Sequence, residues 1–279
     1  MVELTFPGGQ IVAIEFDDTQ HSYVIAHKLA DGTFSDWRPT TGVTTPLDVV
    51  PKPFLTPWGA KEGVEATLNL FLNQPGLVDN LPQFFEDLEH YKNKTRNDLD
   101  KPIMSYYRFN KTYPWFKECK GAYKNKSKEG QEFGTWIHSA IEHFYKSDRK
   151  ELPILTPEYE PVWESFLEFD NFFKPVPDTD GLEFFVYSLL YGYSGQGDFR
   201  GHVNGKYVIL DWKSTNRSDS NQDGISTDYF YQLGGLAQAE FERTGKWVDD
   251  LGAVNIDKKG EPARVVFASE FGMSPQDAA

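Results

Sequence analysis

The feature that most constrains this chain is a change of period at the proline pair of KPVPDTDG, residues 174–181. Before it, from about Ser127 to Lys146 and from Pro157 to Phe172, apolar residues recur every three or four positions, the spacing of an amphipathic helix. The prolines cannot continue that helix. After them the apolar residues alternate, and LEFFVYSLLYGY, QGDFRGHVN and KYVILDWKST read as three strands joined by glycine-containing turns, with VNGKY a hairpin. A helix from Asp228 to about Thr244 and a strand pair, AVNID and RVVFA around KKGEP, follow. Helix, three strands, helix, two strands predicts an α/β fold with a mixed central sheet flanked by helices.

Toward the N-terminus, IVAIEF and HSYVIA around DDTQ alternate as a β-hairpin that runs into a loop, RPTTGVTT, and this stretch reads as an appendage. From Phe54 to about Tyr123 the spacing is helical, with Pro57, Pro75, Pro82 and Pro102 near helix starts. The expected division is an N-terminal hairpin and helical cover over 1–110, a core over 111–270 and a frayed tail over 271–279. At 279 residues and 39% hydrophobic content such a core can be filled. The single cysteine, Cys119, excludes a disulfide framework and any four-cysteine zinc or iron–sulfur centre within one chain. With no run of about 18 apolar residues and no basic-then-apolar leader, the expectation is a soluble, cytoplasmic protein that makes no use of a membrane.

The net charge of −14 conceals a local reversal. Between Arg108 and Lys128 seven cations (Arg108, Lys111, Lys117, Lys120, Lys124, Lys126, Lys128) face one acid, Glu118, so the remaining residues carry about −20. Aromatic residues interleave with them, among them Tyr106, Tyr107, Phe109, Trp115 and Tyr123. Cations track phosphates and aromatic rings stack unpaired bases, which makes this segment a candidate single-stranded nucleic-acid surface. An amphipathic helix with a buried aromatic face explains the same pattern, and both can hold at once. The acidic remainder would repel a polyanion elsewhere.

Asp211-Trp212-Lys213 ends an apolar strand, and alternation there puts the carboxylate and the ammonium on one face with the indole on the other. An acid two residues before a lysine also occurs at Glu118, Asp148 and Asp257, but in helical, loop or turn segments. What separates Asp211 is Asp198, which closes the glycine-rich GYSGQGD and starts the neighbouring strand, within reach across a hairpin. Two carboxylates facing one point repel unless a cation sits between them, and hard oxygen ligands with open positions suit magnesium, with manganese able to substitute. Lys213 then orients or deprotonates water if its pKa is depressed, or holds phosphate as a simple charge. The plainer reading is a strand-end ion pair with Asp198 capping a turn. Gly134, His138 and Glu142 share one helix face, so His138 can add a nitrogen ligand, while His143 and His202 read as hydrogen-bonded core residues.

In their order, GTWIHSAIE, LEFFVYSLLYGYSGQGDFRG, VILDWKST and YFYQLGGLAQA resemble the RecB-like branch of the PD-(D/E)XK nuclease superfamily, similar to phage-encoded exonucleases and the mitochondrial genome maintenance exonuclease. The likeness covers residues 127 to about 245, and TTGVTTPLDVVPKPFLTPWGAK is similar to the segment that precedes the core in such enzymes. It implies a restriction-endonuclease-like core and catalytic roles for Asp198, Asp211, Lys213 and Glu183. It implies His138, Asp198, Asp211 and the backbone carbonyl of Trp212 as metal ligands. Gln232 matches the glutamine of a QxxxY motif whose tyrosine is replaced by Leu236; Tyr229 or Tyr231 is the candidate substitute, and Gln232 and Tyr229 join Lys117, Lys120, Lys124, Lys126, Lys128, Trp115 and Tyr123 as candidate DNA contacts. The implied activity is a magnesium-dependent DNA exonuclease without an iron–sulfur cluster, acting on single-stranded DNA with a free end in phage or bacterial replication, recombination or degradation, in the host cytoplasm if phage-encoded. A structure-selective endonuclease and a DNA-binding module with an inactive nuclease fold are the alternatives. No GxxxxGK[ST] loop is present.

Overall fold

A computed structural model describes residues 1–17, 22–45, 55–74, 81–87, 111–215 and 228–279. The chain divides into two compact units, one of residues 1–50 with 133–279 and one of residues 51–132, the second boundary falling inside a single long helix. No helix among the described residues is long and apolar enough to cross a membrane.

The larger unit is an α/β structure on a mixed nine-stranded sheet. Its strands are β1 (Val2–Thr5), β2 (Ile11–Asp17), β3 (Ser22–His27), β4 (Arg38–Gly42), β5 (Val176–Tyr187), β6 (Tyr193–Val203), β7 (Lys206–Thr215), β8 (Asp250–Asp257) and β9 (Arg264–Phe267). They run in the order β1-β2-β3-β4-β6-β7-β8-β9, with β5 also paired to β6. Two pairings are parallel, β4 with β6 and β7 with β8. The second needs a crossover, and α4 (Asp228–Thr244) supplies it, as parallel neighbours joined in sequence require.

Alternation along β7 feeds two cores. Val208, Leu210 and Trp212 face Ile137, Ile141 and Phe144 of α2 (Pro114–Lys146) and Trp163, Phe166 and Phe169 of α3 (Glu160–Phe173). Tyr207 and Ile209 face Phe230, Leu233 and Ala237 of α4. The expected split of Asp211 and Lys213 from Trp212 follows, with the indole only 1% exposed among Phe166, Phe169 and Phe199.

Several expectations are corrected. The hairpin of β2 and β3 forms with Phe16 opposite Tyr23, yet it is no appendage, because RPTTG, expected as loop, is β4 and pairs with β6 at Thr41 and Gly42. Asp198 does not start its strand. β6 begins at Tyr193 and runs through the glycines, whose bare backbones receive Leu236 and Phe184: a Cβ on Gly195 would lie 2.8 Å from Leu236, and one on Gly197 2.5 Å from Phe184. The strand expected over 182–193 begins instead at Val176 and stops at Tyr187, where SLLYG turns under Glu242, which accepts from Ser188 Oγ and Leu190 N–H. The tail is not frayed. A 3-10 turn at Ala268–Phe271 leads to α5 (Pro275–Ala278), capped by Ser274, and Ala278 is buried so close to Gly234 that a Cβ there would lie 2.3 Å from its backbone.

In the smaller unit α1 (Leu55–Asn73), residues 81–87 and the first half of α2 are helical, as the spacing predicts. Pro57 falls in the first turn of α1. Pro75 and Pro102 lie outside the described residues.

Candidate metal centre

Four elements of the larger unit each bring one part of the candidate centre. His138 comes from α2, one turn after Gly134 and one before Glu142. Asp198 comes from the middle of β6, where its Oδ2 accepts the backbone N–H of Trp212 at 2.7 Å. Glu183 comes from β5, and its backbone is left-handed, φ +47°. In a residue that is not glycine this conformation costs on the order of 1–3 kcal/mol and persists only where its surroundings hold it. It sits just past an irregularity in the β5–β6 register between Pro177 and Leu182.

These three side chains converge. Ligand atoms of His138, Glu183 and Asp198 all lie within 4.8 Å of one another, with His138 Nδ1 3.4 Å from Asp198 Oδ1 and 3.8 Å from Glu183 Oε1. The other ring nitrogen, Nε2, is 2.9 Å from the carbonyl oxygen of Trp212. Both ring nitrogens therefore face acceptors, which only the doubly protonated imidazolium can serve. Burial alone would lower the His138 pKa, but hydrogen bonding and charge from Asp198 and Glu183 outweigh it and push it up to about 10. The imidazolium occupies the electrostatic place of a cation.

Beside this group lies a second pair. Asp211 is 6% exposed, and Lys213 Nζ stands 2.5 Å from its Oδ2 as an ion pair. Burial, and then the charge of Asp198, push the Asp211 pKa up to about 6, with Lys213 offsetting only part. Burial also raises Glu183. Asp198 goes the other way: burial opposes its ionisation, but His138, Lys213 and the Trp212 N–H hold it below the usual carboxylate range. For Lys213 burial works against the charge, yet Asp211 and Asp198 prevail and raise its pKa. With no cation at the centre, Lys213 is thus held as the ammonium. Its Nζ lies 5.1 Å from the centre of the Tyr229 ring, so Tyr229 of α4 borders the centre as a cation–π partner.

Two or three carboxylates are hard donors that fit magnesium or manganese, with one imidazole as a softer nitrogen donor beside them. Glu183 takes a place beside His138 and Asp198, whereas Asp211 is held against Lys213 at the edge of the group. An open groove of about 430 Å³ leads to the centre, lined by Gly134, Thr135, Ser139, Glu142, Glu183 and Gln196. Sequence reading missed Gln196, whose Nε2 donates to Glu183 Oε2 at 2.8 Å and lies 3.5 Å from the Glu183 carbonyl oxygen. Its signal was in GYSGQGD: glycines at 195 and 197 face α4, which leaves Gln196 on the His138 side.

The remaining candidates fall elsewhere. Gln232 is half-buried on α4, and Leu236 is a core residue on the bare backbone of β6. Lys117, Lys124, Lys126 and Lys128 are exposed on the part of α2 in the smaller unit, where Lys126 lies 3.6 Å from Glu62 and Lys128 3.6 Å from Glu132. Trp115 is half-buried in an aromatic cluster, its ring 4.8 Å from Phe84 and 5.6 Å from Phe71, which meets the packing half of the expectation for this segment. The side chains of Lys120 and Tyr123, and residues Tyr106 to Phe109, lie outside what the structure describes. His143 and His202 are surface groups rather than core residues, beside Glu151 at 2.8 Å and Asp178 at 3.9 Å. No protein-family model matches the chain, and no curated protein matches it.

Proposed function

We propose that this chain is a magnesium-dependent deoxyribonuclease with a restriction-endonuclease-like core of the PD-(D/E)XK superfamily, RecB-like branch. It hydrolyses DNA phosphodiester bonds, acts on single-stranded DNA from a free end, and serves replication, recombination or degradation of DNA. The observation that carries the reading is the convergence of His138, Glu183 and Asp198 within 4.8 Å, beside the buried Asp211–Lys213 pair. Those residue types on those elements match the order in which the sequence motifs run.

Glu183, Asp198 and the imidazole of His138 would hold the cation, with Asp211 next to them. A divalent ion bound there polarises the phosphodiester and offsets charge on the attacking and leaving oxygens. Lys213, kept cationic by Asp211 and Asp198, binds a phosphate oxygen or orients the attacking water, and Tyr229 restrains its ammonium. The groove past Gly134 admits substrate to the face where these groups meet. The preference for single strands rests on the sequence resemblance and on the basic aromatic segment.

End-labelled single- and double-stranded DNA, linear and circular, incubated with magnesium or with EDTA, tests the reading. Magnesium-dependent shortening of linear single strands is expected, abolished by EDTA and by Lys213→Ala. Rapid cutting of circular single strands removes the exonuclease assignment. Cutting that survives EDTA or Lys213→Ala removes the mechanism.

A further inference from the structure

We propose that Gln196, together with the backbone N–H of Trp212, restricts Glu183 and Asp198 to one ligating oxygen each and so makes the centre select a small octahedral cation over calcium. The proposal rests on the metal-dependent reading above. It concerns how the centre discriminates among divalent ions.

A carboxylate can offer a cation one oxygen or two. Calcium accepts roughly six to eight oxygens in loose geometry and often takes carboxylates by both, whereas magnesium demands a near-octahedral set and keeps several waters. Which oxygens are free therefore biases the choice of ion. In Glu183, Oε2 accepts from Gln196 Nε2 at 2.8 Å; in Asp198, Oδ2 accepts from Trp212 N–H at 2.7 Å. The oxygens left over are Glu183 Oε1 and Asp198 Oδ1, and these are the two that face His138 Nδ1 at 3.8 and 3.4 Å. Two single oxygens and one ring nitrogen make three point ligands, and an octahedral ion then has positions left for water and phosphate.

The pin on Asp198 is backbone and holds as long as β6 and β7 pair. The pin on Glu183 is a side chain, and its type matters. A lysine or arginine at 196 would hold the same oxygen but neutralise the charge that attracts the cation, while an amide donates a hydrogen bond and adds none. Gln196 also bears on the backbone, since its Nε2 lies 3.5 Å from the carbonyl oxygen of the left-handed Glu183. Without that amide, Glu183 gains both the freedom to turn and a second oxygen to offer.

The test is calorimetric titration of the full chain with Mn2+ and with Ca2+, in the absence of DNA, for wild type and Gln196→Met, which keeps the length of the side chain and removes its N–H. Wild type is expected to prefer Mn2+, and the ratio of Ca2+ to Mn2+ dissociation constants is expected to shrink about tenfold in the variant, the size of effect that partners of metal ligands commonly have. A ratio unchanged within about twofold overturns the proposal, as does a wild type that binds Ca2+ as tightly as Mn2+. If Gln196→Met melts early, Gln196→Leu serves: it loses the donor without adding charge or a metal ligand and is expected to narrow the ratio likewise, and an unchanged ratio in that folded variant is equally fatal. Wild type that binds neither Mn2+ nor Mg2+ overturns the parent reading instead.

Discussion

Removing Glu240 should destabilise the protein more than any loss of surface charge, because it strands a buried guanidinium. Glu240 of α4 is 1% exposed and accepts from Arg200 Nη1 at 3.0 Å and from Arg243 Nε at 3.0 Å. Arg200, 7% exposed, also reaches Asp178 at 3.3 Å and lies over the Phe184 ring, so it ties β6 to β5 and to α4 only two residues from Asp198. In Glu240→Ala the guanidinium keeps Asp178 as its countercharge, and Asp178 is 31% exposed and correspondingly screened. Breaking a buried pair from one side costs about 3–5 kcal/mol, against a total stability of about 5–15 kcal/mol for a typical protein. At about 2–4 °C per kcal/mol for a chain of this size, the melting temperature should fall by roughly 6–20 °C. Urea titration of wild type and variant measures the loss. The double variant Arg200→Met/Glu240→Leu, which leaves no stranded charge on β6, should lose less than Glu240→Ala alone. A loss below about 1 kcal/mol in Glu240→Ala, or a double variant that is worse, refutes the reasoning.

Four further outcomes follow from the centre and its support. Because His138 is protonated up to about pH 10, a cation must displace that proton, so apparent Mn2+ affinity should rise about tenfold per pH unit between roughly pH 7 and 9; a flat calorimetric profile contradicts this. In the metal-free protein the same raised pKa contributes stability that is complete below about pH 6.5 and fades as pH climbs to about 10, an effect that His138→Ala should abolish in pH-dependent melts. Asp211, raised to about 6, acts in the same direction at lower pH, though because its charge is disfavoured: the metal-free protein loses stability as pH rises from about 4 to 6, so Asp211→Asn should gain on the order of 2 kcal/mol at pH 8 in urea titrations while losing DNA cutting, and a less stable variant sinks the argument. Trp212→Ala empties a site 1% exposed among Phe166, Phe169 and Phe199 and should cost about 3–5 kcal/mol by urea titration, whereas a loss under about 1 kcal/mol would mean that the pocket collapses freely.

What could be read from sequence was whatever depended on period. Alternation in KYVILDWKST separated Trp212 from Asp211 and Lys213 correctly, because both faces of β7 are buried and a one-residue slip would invert every side chain. The step of four on α2 put His138 one turn from Gly134 and Glu142 for the same kind of reason. Glycine misled. In GYSGQGD the glycines look like turn residues, but they lie within β6, where Phe184 and Leu236 need the space a Cβ would take. Glu183 lies inside β5 rather than near its start, and its left-handed backbone there is one that no local pattern announces. The parallel pairing of β4 with β6 joins residues about 150 apart in the chain, beyond the reach of any window.

The charges of the centre suggest why it is held together before any cation arrives. Glu183, Asp198 and Asp211 are three acids whose mutual repulsion would spread a loop-built site, but each is fixed to a sheet strand and two are pinned by N–H donors. Lys213 and the His138 imidazolium supply two positive charges against the three acids when all are ionised. Replacing one proton on His138 by a divalent cation turns a deficit of one into balance, since the neutral imidazole then acts as ligand rather than as charge. On the proposed metal-dependent reading, β-pairing holds the carboxylates in register, the histidine supplies a positive charge, and cation entry would exchange a proton for a metal, which would couple the chemistry of the centre to pH through a residue the sequence places on its own helix.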